Sequence, residues 1–276
     1  MAAAAALNFV RLGFRALLLR VLLSPVRNVA AGRIFRYNLA AAAASNLFPA
    51  RVGDVLRVWL YKSREMIAAT TMVAVWLLEK LVDLVAYLAL AAAIPLLLPG
   101  LPASVGRAIG ALAILGAVGT LVGIAISQWR PGGSGGILAR FAHGTHALRG
   151  PRTVALALVC SAAAWLVDAT EIWLVLVAVG VHLPLGAPLL ILIFVNLAIA
   201  VPSTPAQIGA FEIGAVVALN LLGVPGGRAL AFALIYHFMQ VVPVTLLGMD
   251  GVRLALRARR EQHPIESPSG LLNAVR

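Results

Sequence analysis

The sequence predicts an all-α fold, a polytopic helical membrane protein with two re-entrant helical hairpins in an inverted-topology repeat. Three observations carry that prediction. Of the 276 residues 62% are hydrophobic and 12% are charged, with a mean hydropathy of +0.97. A soluble domain carries about 25% charged residues, so this chain has roughly half the charge that a globular surface needs. Several apolar runs approach the ~20 residues that cross a bilayer core. The cations, finally, gather between those runs. A β-barrel would show short alternating segments instead.

Taken in order, residues 1–28 open with "MAAAAALNFVRLGFRALLLRVLL", in which Arg11, Arg15 and Arg20 interrupt the apolar residues. No cleavable signal peptide is read there. The pattern predicts an amphipathic helix lying on the cytoplasmic surface. Four runs read as full spans: Val73–Leu98, Ala108–Ile126, Thr153–Gly180 and Ala229–Met249. Residues 1–252 form a single integral membrane domain, and 253–276 a basic cytoplasmic tail.

The positive-inside bias sets the orientation. Arg11 to Arg36, Lys62 and Arg64, Arg130 to Arg152 and the tail arginines fall on one side. Only Arg107 and Arg228 fall on the other, and Arg51, Arg57 and Lys80 remain within the membrane. Both termini are therefore expected in the cytoplasm. The net charge of +12 is read as anchoring beside anionic lipid. Nucleic-acid binding would need a folded basic face. Cys160, the single cysteine, sits in an apolar helix, which excludes a disulfide framework or a cysteine metal site. The "PGGSGG" stretch lacks the lysine-serine ending of a phosphate-binding loop, and His143 and His146 have no third metal ligand near them. No cofactor is expected.

Charge placement makes two segments exceptional. Residues 33–62 carry cytoplasmic charges at both ends, so the chain must enter and return, with "FPARVG" deepest. Residues 185–223 are flanked by charge-poor external segments and behave the same way from the other side, with "AVPSTPAQIGAFE" at the turn. The tips resemble one another: Pro49 to Gly53 matches Pro205 to Gly209, and an acid follows each, Asp54 and Glu212. Inverted repeats of this kind place binding sites near the midplane, where broken helices point their N-termini at an anionic group. Proline suits those helix starts.

At these residues the chain resembles the lysylphosphatidylglycerol synthase transmembrane-region family, also described as flippase-like membrane proteins, over roughly Arg33 to Gly248. The family pattern N-x-x-P-x-R-x-G-[ED]-x-x-R is met by Asn46, Pro49, Arg51, Gly53, Asp54 and Arg57. E-R-x-x-D is met by Glu79 and Asp83, with Lys80 in place of arginine. P-x-[ST]-P-G-G-[IL]-G-x-[FY]-E is met by Pro202, Pro205, Ile208, Gly209, Phe211 and Glu212, while Ala206 and Gln207 replace glycines and stiffen the tip. The aminoacyl-transferase domain of true synthases has no counterpart here, so the resemblance implies lipid translocation, not lipid aminoacylation.

The candidate site follows. Arg51 and Arg57, with Asn46 and Gly53, would hold a lipid phosphate through charge-assisted contacts; the alternative is a structural pair with Asp54 or Asp83. Glu79 and Asp83 share a helix face at i and i+4 and are expected to face Arg51 or Arg57, or to carry a coupling proton. Asp168 and Glu171 would line the groove or pair with His237 or Arg228. Ser203 and Thr204 would cap the second return helix, beside Gln207 and Gly209. The expected function is a flippase moving an anionic or isoprenoid-linked lipid headgroup across the bacterial inner membrane. The competing readings are an intramembrane polyprenyl-diphosphate phosphatase and a non-transporting subunit of a glycolipid synthase. A membrane lipid is the expected substrate and a glycosyltransferase or lipid synthase the expected partner.

Overall fold

A computed structural model describes residues 2–49, 52–98, 100–128, 150–200 and 204–262. Those residues are helical apart from short connections, and no strand occurs among them. The helices are α1 (Ala2–Leu23), α2 (Ala31–Leu47), α3 (Val52–Glu65), α4 (Ala69–Ala92), α5 (Ile94–Leu97), α6 (Ala103–Gln128), α7 (Pro151–Ala178), α8 (Ala187–Ala198), α9 (Ala210–Leu221) and α10 (Gly226–Gln262), with a 3-10 turn at Pro205–Gln207 before α9. The "PGGSGG" stretch, His143, His146, Arg51, Ser203 and the end of the tail lie outside the described residues.

Among the described residues three helices are long and apolar enough to cross a membrane: α4 running on into α5 (Ala69–Leu97), α7, and α10 over Gly226–Arg253. They coincide with three of the four expected spans. The fourth expectation falls on α6, which is helical for 26 residues; among the described residues its Ala103–Gly116 part counts as a shorter apolar helix. The tail expected from 253 begins as a continuation of α10, which runs to Gln262.

The N-terminal helix corrects the sequence reading. α1 packs along α7 and also against α2, α4 and α10, and Leu18, Leu19, Leu22 and Leu23 are wholly buried. Its exposed stripe contains Val10 and Leu17, while Asn8 is 0% exposed and Arg11 and Arg15 are partly buried. A surface helix would turn its arginines to water. In this one Asn8, Arg11 and Arg15 turn toward the bundle while Val10 and Leu17 face out, and of its arginines only Arg20, near the helix end, is exposed.

Two helix-break-helix hairpins flank the bundle. In the first, α2 and α3 lie together, and Gly53 makes that possible: a Cβ there would stand 1.8 Å from the Ala41 carbonyl oxygen and 2.4 Å from the Ser45 hydroxyl. Its open end is tied by the buried Glu65, which accepts from the Tyr37 hydroxyl (3.0 Å) and from Arg33 (3.2 Å). In the second, α8 packs on α9 across Gly214, whose Cβ would meet the Phe194 carbonyl at 2.7 Å. The alanine-rich α2 also faces α10, where Gly248 would place a Cβ 2.4 Å from the Leu39 carbonyl. Small residues let helix backbones approach where lipid supplies no hydrophobic drive.

Inside α10, Pro243 has no N–H to give the Met239 carbonyl four residues earlier. The side-chain amide of Asn8 supplies the missing donor, reaching Met239 O at 3.2 Å and Gln240 O at 3.1 Å. A neighbouring helix thus satisfies the backbone that proline freed, the condition for proline inside a membrane helix.

Candidate functional site

The bundle helices line an open cavity of about 640 Å³. Each flanking element contributes polar groups at helical spacing. From α4 come Glu79, Lys80, Asp83 and Tyr87; from α3 Gly53, Asp54 and Arg57; from α2 Asn38 and Ser45; from α1 Arg11 and Arg15; from α7 Trp165 and Asp168; from α8 Asn196; and from α10 Tyr236 and Gln240. Four cations and four acids therefore meet in one chamber of a protein that is 62% hydrophobic. Burying them unpaired would be prohibitive, and the geometry shows how most are paired.

Arg57, buried midway along α3, contacts Glu79 with both terminal guanidinium nitrogens, Nη2 to Oε2 at 2.6 Å and Nη1 to Oε1 at 3.4 Å. Arg15 pairs with Oδ2 of Asp83, whose Oδ1 accepts from the Ser161 hydroxyl at 2.6 Å. The Arg15 guanidinium also lies over the Trp165 ring, 4.9 Å from its centroid, a favourable placement for a cation on an aromatic face. Arg11 donates to Asn8 Oδ1 (2.7 Å) and stands 4.0 Å from Asp168. Asp168 in turn accepts from Tyr236 and from Gln240, both at 2.8 Å. Lys80 is exposed to the cavity and forms no hydrogen bond or salt bridge among the described residues. Three of the chamber's four cations are thus paired with acids, and Lys80, a charge neighbour of Glu79, makes no such pair among the described residues.

A smaller cavity of about 160 Å³ adjoins the second hairpin, lined by Asn46, Ala206, Gln207 and His237 among others. His237 reaches two partners there: Nδ1 lies 2.6 Å from Glu212 Oε1, and Nε2 lies 2.9 Å from the Ala206 carbonyl oxygen. Phe211 stacks flat on the imidazole, centroids 4.2 Å apart. Glu212, in the first turn of α9, also accepts from the Gly209 N–H at 2.7 Å. It closes the helix start as a capping acid does.

The structure brings together most residues that the sequence singled out, and it redistributes their partners. Glu79 faces Arg57 as expected. Asp83 faces Arg15 instead of Arg57, because α1 is inside the bundle, and the expected contact with Arg51 lies outside the described residues. Asp168 lines the chamber, but His237, one of its two expected partners, belongs to Glu212. Glu171 is 0% exposed, and neither of its carboxylate oxygens has a hydrogen-bond partner among the described residues. Asn46 donates to the Thr245 hydroxyl at 2.9 Å and fastens α2 to α10. Asp54 sits in the first turn of α3 at the chamber wall. Thr204 does not cap α9; its hydroxyl donates to the Ile208 carbonyl at 2.8 Å, within the turn. Ala206 and Gln207, which stand where the resemblance expects glycines, have φ of +51° and +62°. The backbone that glycine favours is kept without glycine.

Asn8, Arg11, Arg15, Tyr236 and Gln240 were not assigned to the site from the sequence. A signal existed for the first three. At spacings of three and four they form one stripe of α1, whereas Val10 and Leu17 define another.

The comparisons agree with this architecture. The profile of the family described as "Lysylphosphatidylglycerol synthase TM region" matches residues 1–248. No curated protein and no solved structure gives a significant match.

Proposed function

The chain belongs to the lysylphosphatidylglycerol synthase transmembrane-region family, and from that premise we propose that it is a flippase-like transporter. It moves an anionic or isoprenoid-linked lipid headgroup across the bacterial inner membrane, with both termini cytoplasmic. The charged chamber of about 640 Å³ carries this reading. A headgroup needs a polar path through hydrocarbon, and charges inside a membrane protein mark such paths.

The hairpin lengths support re-entry. At ~1.5 Å per residue, the 17 residues of α2, 14 of α3 and 12 each of α8 and α9 span roughly 25, 21, 18 and 18 Å, short of the ~30 Å hydrocarbon core. Each hairpin enters and returns, from opposite faces. Lys80 and Arg51 receive the phosphate, since the guanidinium of Arg57 is held by Glu79. The phosphatase reading needs free acids, and Glu79 and Asp83 are engaged by Arg57 and by Arg15 with Ser161. The protein is on this reading not an enzyme.

Reconstitution in liposomes with headgroup-labelled anionic lipids tests the proposal. Wild-type protein is expected to accelerate translocation over protein-free vesicles. Lys80→Met and Arg51→Ala should each reduce that rate at least about tenfold, the loss expected when a charge-assisted contact worth roughly 1.5–3 kcal/mol is removed, while melting temperature in detergent holds. No acceleration by wild-type protein, or equal rates in the variants, overturns it.

A further inference from the structure

The second hairpin tip is fastened by an imidazole whose two nitrogens both face oxygen atoms. Nδ1 of His237 meets a carboxylate oxygen of Glu212, and Nε2 meets the carbonyl oxygen of Ala206. A carbonyl can only accept, so Nε2 must carry a hydrogen. The Nδ1 contact at 2.6 Å then needs a hydrogen as well, on either Nδ1 or Glu212. The other carboxylate oxygen is already accepting from the Gly209 N–H. Two arrangements satisfy every atom: imidazolium with carboxylate, or neutral imidazole with carboxylic acid. Both contain the same number of protons. Removing one leaves a nitrogen lone pair, or an unprotonated Nε2, pressed against oxygen.

We propose that His237 and Glu212 together form a proton-binding site that latches the second hairpin tip, and that loss of its proton to water releases the tip. The segment held is one that would not hold itself. Ala206, whose carbonyl is the Nε2 partner, and Gln207 beside it are both left-handed, a conformation costly for residues with a Cβ. His237 is on α10, so the latch joins the tip to the long helix that walls the main chamber. The surrounding charges are few. Arg11 of α1 lines the same small cavity, Asp168 and Glu171 of α7 lie beyond Tyr236, and α2 presents only the neutral Ser45 and Asn46. Among the described residues Glu212 is thus the one acid in direct contact with the ring.

Resting on the transporter reading, the latch makes headgroup passage responsive to a proton: a protonated pair closes the second tip and a deprotonated pair opens it. The balance is one proton released to water per opening and one recovered per closing, with no other co-reactant.

A spin label at Ile208→Cys, which is 64% exposed, in a Cys160→Ser background reports tip mobility without requiring transport. The mobile fraction of the nitroxide spectrum in nanodiscs should rise severalfold as pH increases from about 5 to about 9. Glu212→Gln is the discriminating variant. Its amide can donate to Nδ1 while its oxygen accepts from Gly209, so neutral His237 keeps the latch and the pH response should vanish with the tip immobile. His237→Ala should be mobile at every pH, with monodisperse gel filtration confirming that it folds. A wild-type tip that is equally immobile across the range, or a Glu212→Gln response like wild type, overturns the latch. Lipid flux measured on the same proteins separates the two ideas. A pH-dependent tip without flux leaves the latch standing and removes the transporter, and flux with a pH-independent tip does the reverse.

Discussion

Pro243 leaves a carbonyl of α10 without its helical donor, and Asn8 supplies one across a sequence separation of 231 residues. An unmet carbonyl away from water costs about 1–3 kcal/mol, so Asn8→Ala should lower the melting temperature in detergent. Pro243→Ala restores an N–H for Met239 and should recover most of the loss in the double mutant; no recovery would mean that Asn8 acts elsewhere. The acids divide in the same way. Asp83→Ala strands the Arg15 guanidinium, and breaking one side of a buried pair costs roughly 3–5 kcal/mol. Neither carboxylate oxygen of Glu171 has a hydrogen-bond partner among the described residues, and Arg11 acts on it only as a nearby charge. Replacing an unsatisfied buried group by an apolar one of similar shape is neutral or stabilising, so Glu171→Met should hold or raise the melting temperature, measured beside Asp83→Ala. Of these roles the sequence disclosed the Glu79–Arg57 pairing, because two acids a turn apart in an apolar helix demand cations. It did not disclose Arg15 as the partner of Asp83, since arginines in an N-terminal apolar helix fit a surface location equally well.

Among the elements, the helix break inside residues 33–62 was the most legible. Charges at both ends of that segment led the sequence reading to expect a turn around Pro49, and the helix ends at Leu47 and resumes at Val52. What pattern could not reveal was how closely the arms approach. That depends on Gly53, which the sequence reading assigned to phosphate binding and which also admits the Ala41 carbonyl. Gly53→Ala forces the arms apart and should reduce the yield of folded protein, while Gly13→Ala, with nothing within 4 Å of its Cβ, should not; gel filtration of both compares them. The second tip responds in the opposite direction. Ala206→Gly and Gln207→Gly each relieve a left-handed residue, which costs ~1–2 kcal/mol, against a larger unfolded-state entropy worth ~0.4–1 kcal/mol. A net gain of about 0.5–1 kcal/mol per site should appear in thermal unfolding.

At the scale of the whole molecule, an inverted arrangement requires the ends of the second hairpin to face away from the cytoplasm. Leu185, 73% exposed, and the exposed Gly226 lie at those ends. As single cysteines in the Cys160→Ser background they should label with an impermeant maleimide from outside intact cells. Labelling only after the cytoplasmic face is opened would remove the arrangement. Fold class was legible because hydropathy is a sum over many residues, whereas the meeting of α1 with α10 is set by a few polar atoms far apart in sequence. That meeting also has a timetable. Asn8 leaves the ribosome 231 residues ahead of Met239, and at ~5–20 residues per second the interval is roughly 10–50 seconds. Throughout it α1 has been made, while the carbonyls that its amide serves do not yet exist. Until then the Asn8 amide nitrogen has only water and lipid headgroups to serve, whereas Asp83 and Asp168, the partners of Arg15 and Arg11, are made well before α10. The places of α1 beside α4 and α7 are thus on offer before α10 exists, and the Asn8 contact is the one that must close last.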